Sequence, residues 1–257
     1  MNNKISNESI DFYKENGYII FNINNDKLID EVNKDVDLHV KKGDFKTNSK
    51  IYSYNKSPRI VESWKVLDSC KRLSLSPIVI KWLEAISPSS PKAFSTINFL
   101  HCTQQPLHSD YVHFGTIPEG RLAGSWIALE DINPLSGPLQ IVPKSHKLEY
   151  FNFEIVADSP PKKLEEIKKN YGLYEQWVLE LVDKLKLETI SPKMSKGDCI
   201  IWDANLLHGS PDCQDNQILR RSQVTHWTFS DVKKHYNPAF SQRTKGKFTE
   251  RKVVTFN

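Results

Sequence analysis

Residues 122–130 read Leu-Ala-Gly-Ser-Trp-Ile-Ala-Leu-Glu, and the reading of this stretch decides the fold. It is short, uncharged until its last residue, and rich in types that suit a buried strand. Four further stretches behave alike: Ala93–Leu100 (AFSTINFL), Gly137–Val142 (GPLQIV), Cys199–Trp202 (CIIW) and Arg221–Phe229 (RSQVTHWTF). Gly, Pro, Asn and Ser punctuate the sequence between them. A run of short strands with turn signals predicts a sheet-rich later half able to roll into a barrel.

The earlier half has a different period. Ile10, Tyr13 and Lys14 have helical spacing, Gly17 suits a helix stop, and Tyr18–Phe21 reads as a short strand. Residues 26–43 place Leu28, Ile29, Val32, Val36 and Val40 on one helical face. The polar residues 44–62, with Tyr52 and Tyr54, predict a loop. Helices are expected over Val66–Leu75 and Pro77–Ile86, the second with proline in its first turn. A helical interruption at Pro161–Lys186 carries Tyr174, Trp177, Val178, Leu181, Val182 and Leu185 as a stripe, best read as packing surface. Helices first, strands after, with one helical insertion and no repeats, make an α+β chain.

Composition narrows the function classes. The 257 residues are 26% charged and 39% hydrophobic, ordinary for a globular chain with a sizeable core. The net charge of +4 arises from 35 basic against 31 acidic residues and is spread out, which argues against nucleic acid or a membrane surface as partner. Cys70, Cys102, Cys199 and Cys213 form no CxxC pair, so neither a disulfide framework nor a structural zinc site is expected. With a polar opening from Met1 to Asp11 and no apolar run of roughly 20 residues, a soluble, cytoplasmic protein is expected.

Three patterns carry chemistry. In His108-Ser109-Asp110 the first and third residues of an extended segment point the same way, so an imidazole and a carboxylate converge. Such a pair is two thirds of the two-His-one-carboxylate triad that leaves positions open on Fe(II). The second pattern runs from Lys196-Gly197-Asp198 through an apolar strand to His208-Gly209. In a jelly roll an early and a late strand lie side by side, so His208 can meet His108. The third is Arg220-Arg221 before a strand, where one guanidinium of the alternating pair can fork onto a carboxylate. A zinc hydrolase on the same ligands would leave that arginine unexplained.

In this order the patterns resemble the phytanoyl-CoA dioxygenase (PhyH-like) family of Fe(II)/2-oxoglutarate oxygenases. The resemblance runs through Phe12–Phe21, Gln105-x-x-His108-x-Asp110, Trp126, Gly137-Pro138-Leu139 to Pro143-x-Ser145-His146, Gly197-Asp198 to His208-Gly209, and Arg220. It implies a single domain over 1–257 with a double-stranded β-helix (jelly-roll, cupin-like) core, N-terminal helices packed on one sheet, and a helical insertion at about 155–190. It further implies Fe(II) on His108, Asp110 and His208, and the 2-oxoglutarate C5 carboxylate on Arg220, with Arg221 left open. Trp126 would line the cosubstrate pocket, and Gln105, Thr96 and Asn98 would reach cosubstrate or substrate.

The activity implied is hydroxylation of a small molecule with O2, releasing succinate and CO2. Desaturation, epimerisation or cyclisation at the same iron, and a non-catalytic jelly-roll binding protein, are the alternatives. His101, His113 and His226 are further candidates for substrate contact. Specificity is expected from residues 44–62, from 111–121 (with Tyr111, His113 and Phe114), and from the insertion. One departure stands out: the family's Pro-Gly-Ser-His reads Pro143-Lys144-Ser145-His146 here. The presence of Asp110 favours hydroxylation over chlorination. Neither the substrate nor the oligomeric state is legible.

Overall fold

A computed structural model describes residues 4–43, 59–215 and 217–257. Helix α1 (Asn7–Asn16) starts at a capping box in which Ser6 and Ser9 satisfy each other's backbone N–H groups. It stops at Gly17, whose φ of 81° suits glycine. Strand β1 (Tyr18–Asn22) follows, then α2 (Asp26–Lys42), which buries Leu28, Ile29, Val32 and Val36. Next come β2 (Arg59–Val61), α3 (Asp68–Ser74) and α4 (Pro77–Ile86).

The remaining elements are β3 (Pro91–Phe99), β4 (Gly115–Ile117), β5 (Leu122–Ala128), β6 (Gln140–Ile141) and the long α5 (Leu164–Lys184). They are followed by β7 (Asp198–Asp203), β8 (His208–Gly209), β9 (Ser222–Phe229) and β10 (Lys234–Tyr236). The main sheet has the order β1-β7-β5-β9-β3-β2, with every pair antiparallel. Two short antiparallel pairs, β4 with β10 and β6 with β8, form two further two-stranded sheets.

The alternation of side chains along each strand divides the sheet's two faces. One face carries Phe21, Ile201, Ile127 and Trp227, which pack with Ile29, Val32, Leu73 and Trp82 of the N-terminal helices in one core. The other carries Ile20, Ile200, Trp202, Trp126 and Val224, which form a second core with Leu139 and Ile141 of the β6 region. A third cluster seats α5 through Tyr174 and Val178 against Val142, Phe151 and Leu207. The fold is an α+β jelly roll, as expected.

Differences from the expectation have local causes. Strands β2, β4, β8 and β10 are two or three residues long, too short for a period to show. Of the expected loop at 44–62, residues 44–58 lie outside the described residues, and Arg59–Val61 pairs with β3. Strand β1 falls where Tyr18–Phe21 was expected to be a strand, and β2 adds a second strand to the helical half. No helix among the described residues is long and apolar enough to cross a membrane.

Candidate metal centre and its cavity

His108 and His208 are locked together by their backbones. Each donates its N–H to the other's carbonyl at 2.9 Å, which sets the imidazole centroids 4.5 Å apart. The Nδ1 atoms lie 2.9 Å from the carbonyls of Pro106 and Leu206, two residues upstream of each histidine. A carbonyl only accepts, so Nδ1 bears the proton and each Nε2 keeps its lone pair for a metal. Asp110 opens a short 3-10 turn (Asp110–Val112) and completes a buried trio whose donor atoms lie within 4.8 Å of one another.

The surroundings fix this trio. Trp202 Nε1 donates to Asp110 Oδ2 at 2.8 Å, and the Trp202 ring lies 4.4 Å from that of His208. Asp110 Oδ1 is left 3.7 Å from His208 Nε2 and 3.5 Å from His226 Nε2. Gly124 makes room for the indole: it pairs with Trp202 on one side and His226 on the other, and a Cβ there would come within 2.4 Å of Trp202. Ser145 Oγ accepts from Leu207 N–H at 2.8 Å, so the Ser145-His146 turn holds the chain that leads into His208.

Burial dominates the electrostatics. It pushes the His108 imidazole well below the usual histidine range, helped by His208 and His113. Burial alone would raise the Asp110 carboxyl, but His226 and His208 pull it well below the carboxylate range. A lone pair on each Nε2 beside an ionised carboxylate is the donor set a divalent metal requires.

A cavity of about 360 Å³ opens from the trio. Arg220 lines it, only 2% exposed, with its guanidinium 6.0 Å from the Phe99 ring and 5.9 Å from that of Trp126. Among the described residues no carboxylate lies within ion-pair distance of Arg220, and its buried Nε has no hydrogen-bond partner. A buried cation without an anion is costly unless a ligand supplies one. Arg221 turns away instead, its Nη1 2.9 Å from Asp37 Oδ1. The alternation of neighbouring residues thus separates the two arginines.

Gln105 and Trp126 also line the cavity. The Gln105 Nε2 lies 3.0 Å from His108 Nε2, and Arg59 Nη2 donates to its Oε1 at 2.8 Å. Thr96 and Asn98 require a correction. Both lie on the helix-side face of β3, where Thr96 is 3.0 Å from Ser63 and Asn98 is bonded to Ser63 and Gln223. Ile97 and Phe99, of the opposite parity, face the cavity. His101 is also elsewhere, its Nδ1 3.3 Å from Ile218 O. His113 and His226 do line the cavity, His113 stacked on Tyr171 and held down at about 3, chiefly by burial. Trp202, Arg59 and Arg251 complete the wall without having been singled out by the sequence reading. For Trp202 a signal existed, because it shares parity with the other inward residues of its strand.

The donor set fits Fe(II) better than zinc, which more often takes an additional His or Cys. The unpaired guanidinium in the same cavity fits the free carboxylate of a dicarboxylate cosubstrate. Fold and site together define the class of non-haem Fe(II)/2-oxoglutarate-dependent oxygenases. Residues 23–222 match the model of the family "Phytanoyl-CoA dioxygenase (PhyH)", and the chain belongs to that family. The peroxisomal phytanoyl-CoA dioxygenase of Bos taurus is 24% identical over 91% of this chain and 71% of its own length.

Solved structures agree on the fold. The non-heme alpha ketoglutarate dependent carbocyclase SnoK from nogalamycin biosynthesis has a TM-score of 0.71 at 12% identity, covering 99% of this chain and 97% of its own. EctD from S. alaskensis with 2-oxoglutarate and 5-hydroxyectoine has a TM-score of 0.68 at 16% identity, covering 97% and 84%.

Proposed function

We propose that the protein hydroxylates a small molecule, with Fe(II) held by His108, Asp110 and His208 and the far carboxylate of 2-oxoglutarate on Arg220. The observation that carries this reading is the buried Arg220 guanidinium, which has no carboxylate partner among the described residues and opens into the same cavity as the trio. When bound, the metal and cosubstrate supply oxidation of a C–H bond by O2, with succinate and CO2 released. The chain contributes geometry. Pro106 and Leu206 fix the imidazole tautomers, Trp202 fixes the carboxylate, and Phe99 and Trp126 flank the cosubstrate's anchor. Gln105, within reach of His108 Nε2, is positioned to touch whatever lies beside the metal.

Ring formation is the second reading, favoured by the likeness to a carbocyclase; the likeness to EctD bound to 5-hydroxyectoine favours hydroxylation. We treat the chain as one catalytic domain with α5 as its insertion, because the main sheet joins strands from β1 to β9. A cytosolic setting is proposed on the four cysteines, all free.

The test loads the protein with Fe(II), ascorbate and 2-oxoglutarate and follows succinate over a panel of metabolites. Product mass then discriminates: hydroxylation adds one oxygen atom derived from O2, and cyclisation adds none. Arg220→Gln should weaken 2-oxoglutarate binding by roughly tenfold or more. Unchanged binding in that variant sinks the assignment of Arg220.

A further inference from the structure

The cavity has two ends, and the cosubstrate accounts for one of them. Arg220 lies beside Phe99 and Trp126, so a dicarboxylate anchored on it belongs at that end. Phe114, Tyr171 and Phe240 line the cavity beyond the trio. The Phe114 ring lies 4.9 Å from that of His226, whose Nε2 reaches Asp110, and Tyr171 stacks on His113. Phe240 closes the turn Pro238–Phe240, which packs against the turn Asp110–Val112 that starts with the metal-binding carboxylate. None of the segments expected to set specificity includes this C-terminal turn.

Asn237, directly before that turn, also lines the cavity. Its Oδ1 accepts the N–H of Ala239 at 3.1 Å. A backbone N–H only donates, so the atom facing Ala239 is the oxygen, and the place of Nδ2 is fixed with it. The backbone N–H of Asn237 donates to Thr249 O at 2.9 Å, which holds the residue from the other side. Capping the turn uses the amide oxygen alone. The nitrogen has no hydrogen-bond partner among the described residues. An amide donor held in place among aromatic faces is the kind of polar group that orients a ligand in an otherwise apolar pocket.

We infer that Asn237 binds the substrate: its Nδ2 donates to a carbonyl or hydroxyl oxygen of a ring-bearing molecule whose body lies against Phe114, Tyr171 and Phe240. This rests on the oxygenase reading above and adds a binding residue and the class of substrate. A site arranged around a donor discriminates against analogues that lack the acceptor, because the donor then loses its water without replacement. The plainer role for Asn237 is to cap its turn. That role needs only the oxygen, so removing the nitrogen separates the two.

The experiment uses the full chain loaded with Fe(II) and 2-oxoglutarate under argon, titrated with acetophenone, ethylbenzene and acetone. Acetophenone carries both ring and acceptor oxygen, and each of the other probes carries one of the two. Acetophenone should bind about tenfold or more tightly than acetone, through the ring it buries. Asn237→Asp keeps the capping oxygen and puts an acceptor where the donor was, and Asn237→Ser keeps a capping oxygen without adding charge. Both should weaken acetophenone by about three- to tenfold, leave ethylbenzene within about twofold, and unfold at the wild-type temperature. Equal losses for acetophenone and ethylbenzene, or no loss for acetophenone, overturn the hydrogen bond from Asn237. Acetone matching acetophenone, or acetophenone failing to bind, overturns the ring-bearing class. Failure of the Fe(II)-loaded wild type to bind 2-oxoglutarate sinks the oxygenase reading instead.

Discussion

Tyr174 ties the inserted helix to the metal-binding segment: its hydroxyl accepts the N–H of Ser109, between His108 and Asp110, at 2.8 Å. Both residues are buried. The insertion that looked like mere packing surface therefore carries a hydrogen bond into the peptide that spaces two of the three ligands. Burial pushes the phenol well above the usual tyrosine range, so it stays a neutral hydroxyl at any working pH. Tyr174→Phe would leave the Ser109 amide without an acceptor, at a cost of about 1–3 kcal/mol. Metal affinity should fall roughly tenfold as the ligand spacing loosens. Thermal unfolding and Fe(II) titration check this; a variant matching wild type in both would mean the bond does not hold the loop.

Gly124 is the second lever on the same ligands. A methyl group there meets Trp202 at 2.4 Å and pushes the indole off Asp110 Oδ2. Gly124→Ala should cost about 1–3 kcal/mol through overpacking. It should also weaken Fe(II) binding, because the carboxylate loses the donor that orients it. Trp202→Phe is the companion variant, since it removes the N–H without crowding. Weaker metal binding in the phenylalanine variant, with stability less affected than in the alanine variant, separates orientation from packing.

Much of this site was legible because its parts are local patterns. His-x-Asp, the strand ending in His208-Gly209 and the arginine pair each show their chemistry within a few residues, and α4 (Pro77–Ile86) matches its expected bounds. What stayed hidden was facing and long-range neighbourhood. Strand β3 is buried on both sides over Phe94–Thr96, so apolar content did not reveal which parity looks into the cavity. Thr96 and Asn98 were assigned to the wrong face for that reason, and Ser63 satisfies them there. Arg59 and Arg251 reach the cavity from the sheet edge and the C-terminal segment, where nothing in the neighbouring sequence announces a site.

Acid should unfold the metal-free protein through its buried histidines. His113 is held at about 3 by burial, and an unfolded histidine titrates near 6.5, so below about pH 6.5 the unfolded chain binds the extra proton first. Stability from this group is fully present above pH 6.5 and declines as pH falls toward 3. The slope is about 1.4 kcal/mol per pH unit for each such group, and His108 is shifted in the same direction. Denaturant unfolding between pH 7 and 4 should show this decline, and His113→Gln should make it shallower. A decline of equal slope in that variant would remove His113 from the account.

The family turn residue that this chain lacks offers a test of strain remote from the metal. Lys144 takes the place of glycine in the Pro-x-Ser-His turn and has φ of 69°, the left-handed region where a side chain costs roughly 1 kcal/mol. Its backbone N–H still donates to Asn16 O at 2.9 Å, and the turn still delivers Ser145 to Leu207. The side chain's ion pair with Glu15 is exposed, so removing it changes little. Lys144→Gly should therefore stabilise the fold by about 0.5 kcal/mol, after glycine's greater freedom in the unfolded chain is set against the relief. Lys144→Ala removes the same ion pair but keeps a Cβ in the left-handed region, so it should gain nothing. Equal gains from glycine and alanine in denaturant unfolding would show that backbone strain is not what the lysine stores.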